Sequence, residues 1–192
     1  DSVIRAGDTL GLSSYENEII TRNSEIRNIA WSNVLTKDAR GNVVDVTCLG
    51  IDLTERRKAE QILENERSFL SAVIENIGDA IVICDADGRL VRFNETARQL
   101  HGLPAEPIPP EQWARHYDLY EMDAKTPLPV ERIPLYRALQ GDRVRNAEMV
   151  VEPKNGGPRF LVCSGQSLSD EQGRVLGAVV AMHDVTERKK AE

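Results

Sequence analysis

Asp184-Val185-Thr186-Glu187-Arg188-Lys189-Lys190-Ala191-Glu192 carries the same pattern as Asp52-Leu53-Thr54-Glu55-Arg56-Arg57-Lys58-Ala59-Glu60. The offset, 184 minus 52, is 132 residues. Held without a gap, it also lays Gly41 on Gly173, Asp38 on Asp170, Val43 on Val175, Arg27 on Arg159, Asn23 on Asn155 and Glu16 on Glu148. Chance does not keep such a register over this length. Residues 16–60 and 148–192 are therefore two copies of one supersecondary unit.

Each copy reads as strand, turn, strand, turn, strand, helix. In the second copy the strands fall at 147–151, 159–164 and 175–182. Lys154-Asn155-Gly156-Gly157-Pro158 and Asp170-Glu171-Gln172-Gly173 turn the chain between them. In the first copy the strands fall at 18–21, 25–35 and 43–51, with a turn at Asp38-Ala39-Arg40-Gly41. The Asp-x-Thr-Glu that closes each copy is a helix-start signal. The aspartate is placed to accept from a free N–H of the first turn, and the glutamate to reach back as in a capping box. Both acids also suit the positive end of the helix dipole.

Between the copies, residues 54–77 form a connecting amphipathic helix. Ala59, Leu63, Glu66, Leu70, Val73 and Ile77 follow a heptad spacing that only Glu66 violates, and Ile62, Phe69 and Ile74 widen the stripe. Two readings stand: a parallel dimer seam, or a helix packed on its own domain. Gly78 suits the C′ position at its end. Residues 80–84 and 89–93 then form a hairpin about Asp85-Ala86-Asp87-Gly88. Asn94 caps a short helix at 95–101, before Gly102. Residues 104–134, rich in proline, read as short helices and loop, and a helical turn at 134–139 follows.

Composition excludes several classes. The chain has 192 residues, 41% hydrophobic and 29% charged, with a formal net charge of −7. That charge argues against a nucleic-acid surface, which needs clustered Lys and Arg. Arg56-Arg57-Lys58 and Arg188-Lys189-Lys190 sit beside glutamates and read as solvated helix faces. No apolar run reaches bilayer length and no signal peptide opens the chain, so a soluble, cytoplasmic piece is expected, whose parent can still be membrane-anchored. Cys48, Cys84 and Cys163 are far apart, with no C-x-x-C pair. They are expected as small buried residues in a reducing compartment, not as metal ligands or disulfides.

Two strands, short helices, three antiparallel strands and a terminal Asp-x-Thr-Glu-Arg helix resemble the PAS (Per-Arnt-Sim) family with its C-terminal PAC segment. The signature residues are Asp87-Gly88-Arg89-Leu90-Val91-Arg92-Phe93-Asn94, 170–177 and 184–192. The stretch from Trp113 through Pro127-Leu128-Pro129 to Pro134-Leu135 resembles a PAS subgroup of histidine kinases and cyclic-di-nucleotide enzymes. The resemblance implies an α+β fold, a five-stranded antiparallel sheet in spatial order 2-1-5-4-3 with short helices on one face. It implies that 1–53 is the PAC-like rear part of a first module cut from a longer parent, and 54–77 a signalling helix. Residues 78–186 would be one whole module, and 187–192 the start of the next output helix.

The family's pocket lies between helices and sheet, and Trp113, Tyr117, Tyr120 and Cys163 are the candidates for lining it here. Aromatic residues at such positions also serve simply to cover an apolar sheet face. The family's signal hinge maps to Asp52 with Thr54 and Asp184 with Thr186; helix capping alone is the plainer reading. Such modules dimerise and pass a ligand- or partner-induced change to an effector domain, in two-component kinases or cyclases of bacterial type. No haem, flavin or metal is expected. The photo-adduct cysteine motif of flavin modules is missing where Gln99-Leu100-His101-Gly102 stands, and His101 and His116 are the only positional candidates for a haem ligand. A lone histidine of this kind reads most simply as an exposed or hydrogen-bonded residue. No nucleotide-binding, serine-hydrolase or metalloprotease motif is present, so the fragment itself reads as non-catalytic.

Overall fold

The computed structural model describes residues 14–153 and 156–191. The pair Arg5-Ala6, which the offset lays on Arg137-Ala138, lies outside the described residues, as do Lys154 and Asn155 of the expected turn. The chain divides into two compact units between Phe69 and Leu70.

In the first unit, β1 (Ser14–Ile20), β2 (Ile26–Lys37) and β3 (Val43–Asp52) form an antiparallel sheet in the order β1-β2-β3. Cys48 of β3 is exposed rather than buried. The reason is that this three-stranded sheet has no second layer over it among the described residues, and Val46 and Leu49 beside Cys48 are exposed as well. Helix α1 (Thr54–Glu75) leads from the first unit into the second.

In the second unit, β4 (Ala80–Asp85), β5 (Leu90–Phe93), β6 (Leu119–Tyr120), β7 (Val144–Val151), β8 (Arg159–Ser169) and β9 (Val175–Asp184) form one antiparallel sheet. Its order is β5-β4-β9-β8-β7-β6. The first five strands reproduce the expected order. The sixth, β6, corrects the expectation of helices and loop at 104–134. Leu119 and Tyr120 pair with Val151 and Val150, adding a two-residue edge strand too short to leave an alternating pattern. Helices α2 (Glu95–His101), α3 (Pro110–His116) and α4 (Pro134–Leu139), with a 3-10 turn at Val130–Arg132, accompany the sheet.

The core follows from strand alternation. Ala178, Val180 and Met182 of β9, Leu161 and Cys163 of β8, and Val82 and Cys84 of β4 are all buried in one cluster with residues of the helices. Three hairpins use one turn. The carboxylates of Asp38, Asp85 and Asp170 each accept the backbone N–H two and four residues on, and Gly41, Gly88 and Gly173 take φ of 85°, 75° and 78°. That left-handed backbone is open to glycine without penalty.

Candidate functional site

The Asp-x-Thr junction is built identically in both copies. Oδ1 of Asp52 accepts from the Thr54 N–H at 2.9 Å and from the Thr54 hydroxyl at 2.6 Å. Oγ1 of Thr54 accepts in turn from the Asn28 N–H on β2 at 2.9 Å, and Leu53 N–H donates to the Asn28 carbonyl at 2.8 Å. At the second junction, Asp184 takes the Thr186 N–H at 2.8 Å and also its hydroxyl. Oγ1 of Thr186 accepts from the Phe160 N–H at 2.9 Å, and Val185 N–H donates to the Phe160 carbonyl at 2.9 Å. Thr54 and Thr186 are both buried. Ion pairs complete each latch: Arg27 with Asp52 and Arg57 with Glu16, Arg159 with Asp184 and Lys189 with Glu148. Every partner obeys the 132-residue offset. The hydrogen bonds from Thr54 and Arg27 hold the Asp52 carboxyl down at about 2.

Two details correct the capping-box expectation. Arg57 N–H bonds the Leu53 carbonyl and Lys189 N–H the Val185 carbonyl, so Leu53 and Val185 occupy the N-cap position and the aspartates stand one residue earlier. Glu55 and Glu187 pair with Lys58 and Lys190 one turn on instead of reaching back. At the other end, α1 stops at Glu75 rather than Ile77, and Gly78 is not left-handed. The Asn76 side chain donates to the Ala72 carbonyl at 2.8 Å and closes the helix without a glycine cap.

The end of α1 is clamped to the second unit's sheet and α2. Asn94 is fully buried. Its Oδ1 accepts from the Ala97 N–H, capping α2, and from the Ile81 N–H of β4, each at 2.9 Å. Its Nδ2 faces the carbonyls of Ile74, Ile77 and Asp79 at 3.2, 3.3 and 2.9 Å. Glu75 accepts from Arg98 at 3.0 Å, from Arg92 at 3.3 Å and from the Glu95 N–H at 2.9 Å. These bonds, the one from Arg98 foremost, hold the Glu75 carboxyl below the ordinary carboxylate range. Entry and exit also meet: Nδ1 of His183, at the end of β9, lies 2.8 Å from Oδ1 of Asp79.

Between the sheet and its helices lies a cavity of about 40 Å³. Val82, Met149 and Met182 line it from the sheet, and His101, Trp113 and Tyr117 from the helical side. Pockets for drug-sized ligands span roughly 300–1,000 Å³. Of the four sequence candidates, Trp113 and Tyr117 line this cavity. Cys163 is buried in β8 and Tyr120 is half-buried in β6; neither lines it. Burial pushes the Cys163 thiol up to about 12, so it is not ionised at neutral pH. Among the described residues no three His, Cys, Asp or Glu side chains gather as a metal centre would require.

His101 is a correction. It is only 5% exposed, packs beside the rings of Phe93 and Tyr117 at centroid distances of 5.2 and 5.4 Å, and its Nδ1 has no hydrogen-bond partner among the described residues. Its place as the last residue of α2 turns it inward once Phe93 and Tyr117 close around it, which spacing alone did not reveal. His116 is half-buried, 3.5 Å from Glu106, and lies outside the cavity lining.

Burial lowers the His101 imidazole from 6.5 to about 4, so it is neutral at neutral pH. In that window the unfolded chain binds a proton that the folded chain does not. Stability is therefore full above pH 6.5 and falls as pH drops toward 4, by about 3 kcal/mol in all. Urea unfolding of the chain at pH 7 and pH 4.5 measures this, and His101→Leu should remove most of the difference. Carboxylates such as Asp52 and Asp123, held at about 2, act only at lower pH.

A family model described as the PAS fold matches residues 74–190. The chain belongs to the PAS family of sensor domains, which are found in signal-transduction proteins. A hybrid signal transduction histidine kinase I of Dictyostelium discoideum is 30% identical over 109 residues, covering 53% of this chain and 6% of that protein. A probable diguanylate cyclase DgcE of Escherichia coli is 28% identical over 175 residues, covering 89% of this chain and 15% of that protein. The chain thus spans only a small part of these relatives. Among solved structures, the PAS domain of an HTR-like protein from Haloarcula marismortui is 20% identical, with a TM-score of 0.46 over 67% of this chain and 98% of its own. Among the described residues, no helix is long and apolar enough to cross a membrane.

Proposed function

We propose that this chain is a sensing and relay segment of a larger cytoplasmic signalling protein. A change in the second unit travels along β9 through Asp184 and Thr186 into α5 (Thr186–Ala191) and onward to an effector domain. The observation that carries this reading is the duplicated latch. Two sheets, 132 residues apart, tie their last strand to the following helix with the same bonds. The relatives named a histidine kinase and a diguanylate cyclase support an effector of one of those kinds in the parent. The segment itself takes no part in the effector's chemistry.

The segment acts as a parallel homodimer through α1. Leu63 and Leu70 of the heptad seam are 50% and 60% exposed, which favours a second chain as their partner over packing on their own domain. The cavity's small size supports a second reading, in which the module dimerises and relays without any ligand.

The test is Thr186→Val and Asp184→Ala in the parent protein. Thr186→Val strands the Phe160 N–H and should cost about 1–3 kcal/mol. Losing the aspartate acceptor should cost about 1 kcal/mol. Both variants should stay folded while output shifts, because the gap between two signalling states is of similar size. Wild-type output from both variants would overturn the relay.

A further inference from the structure

Glu66 stands where the apolar stripe of α1 should continue. Its neighbours one turn away on the same helix are Ile62, Leu63, Phe69 and Leu70, all exposed and none charged. Earlier in α1 the charges are paired: Arg56 with Glu60, Lys58 with Glu55 and Arg57 with Glu16. Among the described residues, the side chains of Glu66 and Arg67 have no ion pair or hydrogen bond of this kind. If the stripe is buried against another surface, the Glu66 carboxylate is buried with it. A carboxylate taken out of water is costly unless a cation meets it.

We infer that α1 meets the α1 of a second copy in parallel and in register, and that Glu66 of each copy pairs with Arg67 of the other. The inference rests on the dimer reading above and adds what fixes its register. The heptad places Leu63, Leu70 and Ile77 at a, Ala59, Glu66 and Val73 at d, and Arg67 at e. Each d side chain enters a hole formed by four residues of the facing helix. For Glu66 in register, those four are Leu63, Glu66, Arg67 and Leu70 of the second copy. The two carboxylates that face each other are thus flanked by two guanidiniums, and the layer carries no net charge. Leucines close it above and below. A slip of one heptad would set one Glu66 among Leu70, Val73, Ile74 and Ile77 of the second copy, with no cation to meet it. A polar residue at a single core position fixes register in this way, at a cost in stability.

The test is charge exchange in the purified chain, with the dimer measured by analytical ultracentrifugation. Both positions are exposed, so neither exchange removes a core contact. Glu66→Arg and Arg67→Glu should each weaken the dimer about tenfold, because both ion pairs become repulsions. An equimolar mixture of the two variants should dimerise as wild type does, since every carboxylate then meets a guanidinium across the pair. The register is read separately. In a Cys48→Ser background, Val73→Cys should oxidise to a dimer linked through position 73, as facing d positions in a parallel pair require. Wild-type affinity in either single variant, a mixture no stronger than its parts, or no disulfide at position 73 would overturn the pairing. A wild-type chain that dimerises while any of these occurs leaves the dimer reading standing and removes only the role of Glu66 and Arg67. A wild-type chain that stays monomeric overturns both. None of these outcomes touches the latch, which fails only on the output of Thr186→Val and Asp184→Ala.

Discussion

Asn94→Ala is expected to cost the second unit about 3–5 kcal/mol, a large share of an ordinary domain's stability. The size follows from what the substitution strands. The N–H groups of Ile81 and Ala97 lose their acceptor inside the protein. The carbonyls of Ile74, Ile77 and Asp79 lose a shared donor at the same stroke. Each unpaired buried group costs about 1–3 kcal/mol, whereas the loss of a solvent-exposed cap typically costs about 1. Asn94→Asp keeps the acceptor but sets a buried carboxylate oxygen against the carbonyls of Ile74, Ile77 and Asp79, so at pH 7 its cost should at least equal that of alanine. Urea unfolding of the chain, followed by circular dichroism, measures both. A loss near 1 kcal/mol for Asn94→Ala would mean that the residue caps α2 and does nothing more.

Sequence alone disclosed Asn94 as that cap and missed the rest. Capping is local and has a spacing signature; the bonds to residues 74–79 cross between elements and have none. The same divide runs through the whole fold. The strands of the repeat and all three aspartate-glycine turns were legible, since alternation and turn chemistry are short-range, whereas the strand order was implied only by the resemblance to the PAS family. The latch was half legible. The offset had already aligned Arg27 with Arg159 and Glu16 with Glu148, but only the strands, once paired, brought those charges to Asp52, Asp184, Arg57 and Lys189. Cys48 was misjudged because its strand is apolar in composition, while burial depends on a second layer. His101 was misjudged for the opposite reason: a polar residue on a short helix is buried by rings distant in sequence, Phe93 and Tyr117. In the candidate site, aromatic residues at 113 and 117 were foreseen, and the one unsatisfied polar atom beside them was not.

The second large effect concerns α1 as a connector. Each inserted residue turns a helix by about 100°, so one or two residues swing Leu63 away from the partner of Leu70 and Val73. Seven residues restore the phase to within about 20°. If α1 relays as a parallel dimer, a misphased seam places polar side chains between the helices and shifts the balance of the two states. A shift of about 1.4 kcal/mol moves that balance tenfold. The most direct measurement is therefore the activity of the parent protein with one to eight residues inserted after Glu64. The relay account predicts an output that departs about tenfold from wild type after one or two insertions and returns at seven. An output that is flat, or that declines steadily with length, would contradict it.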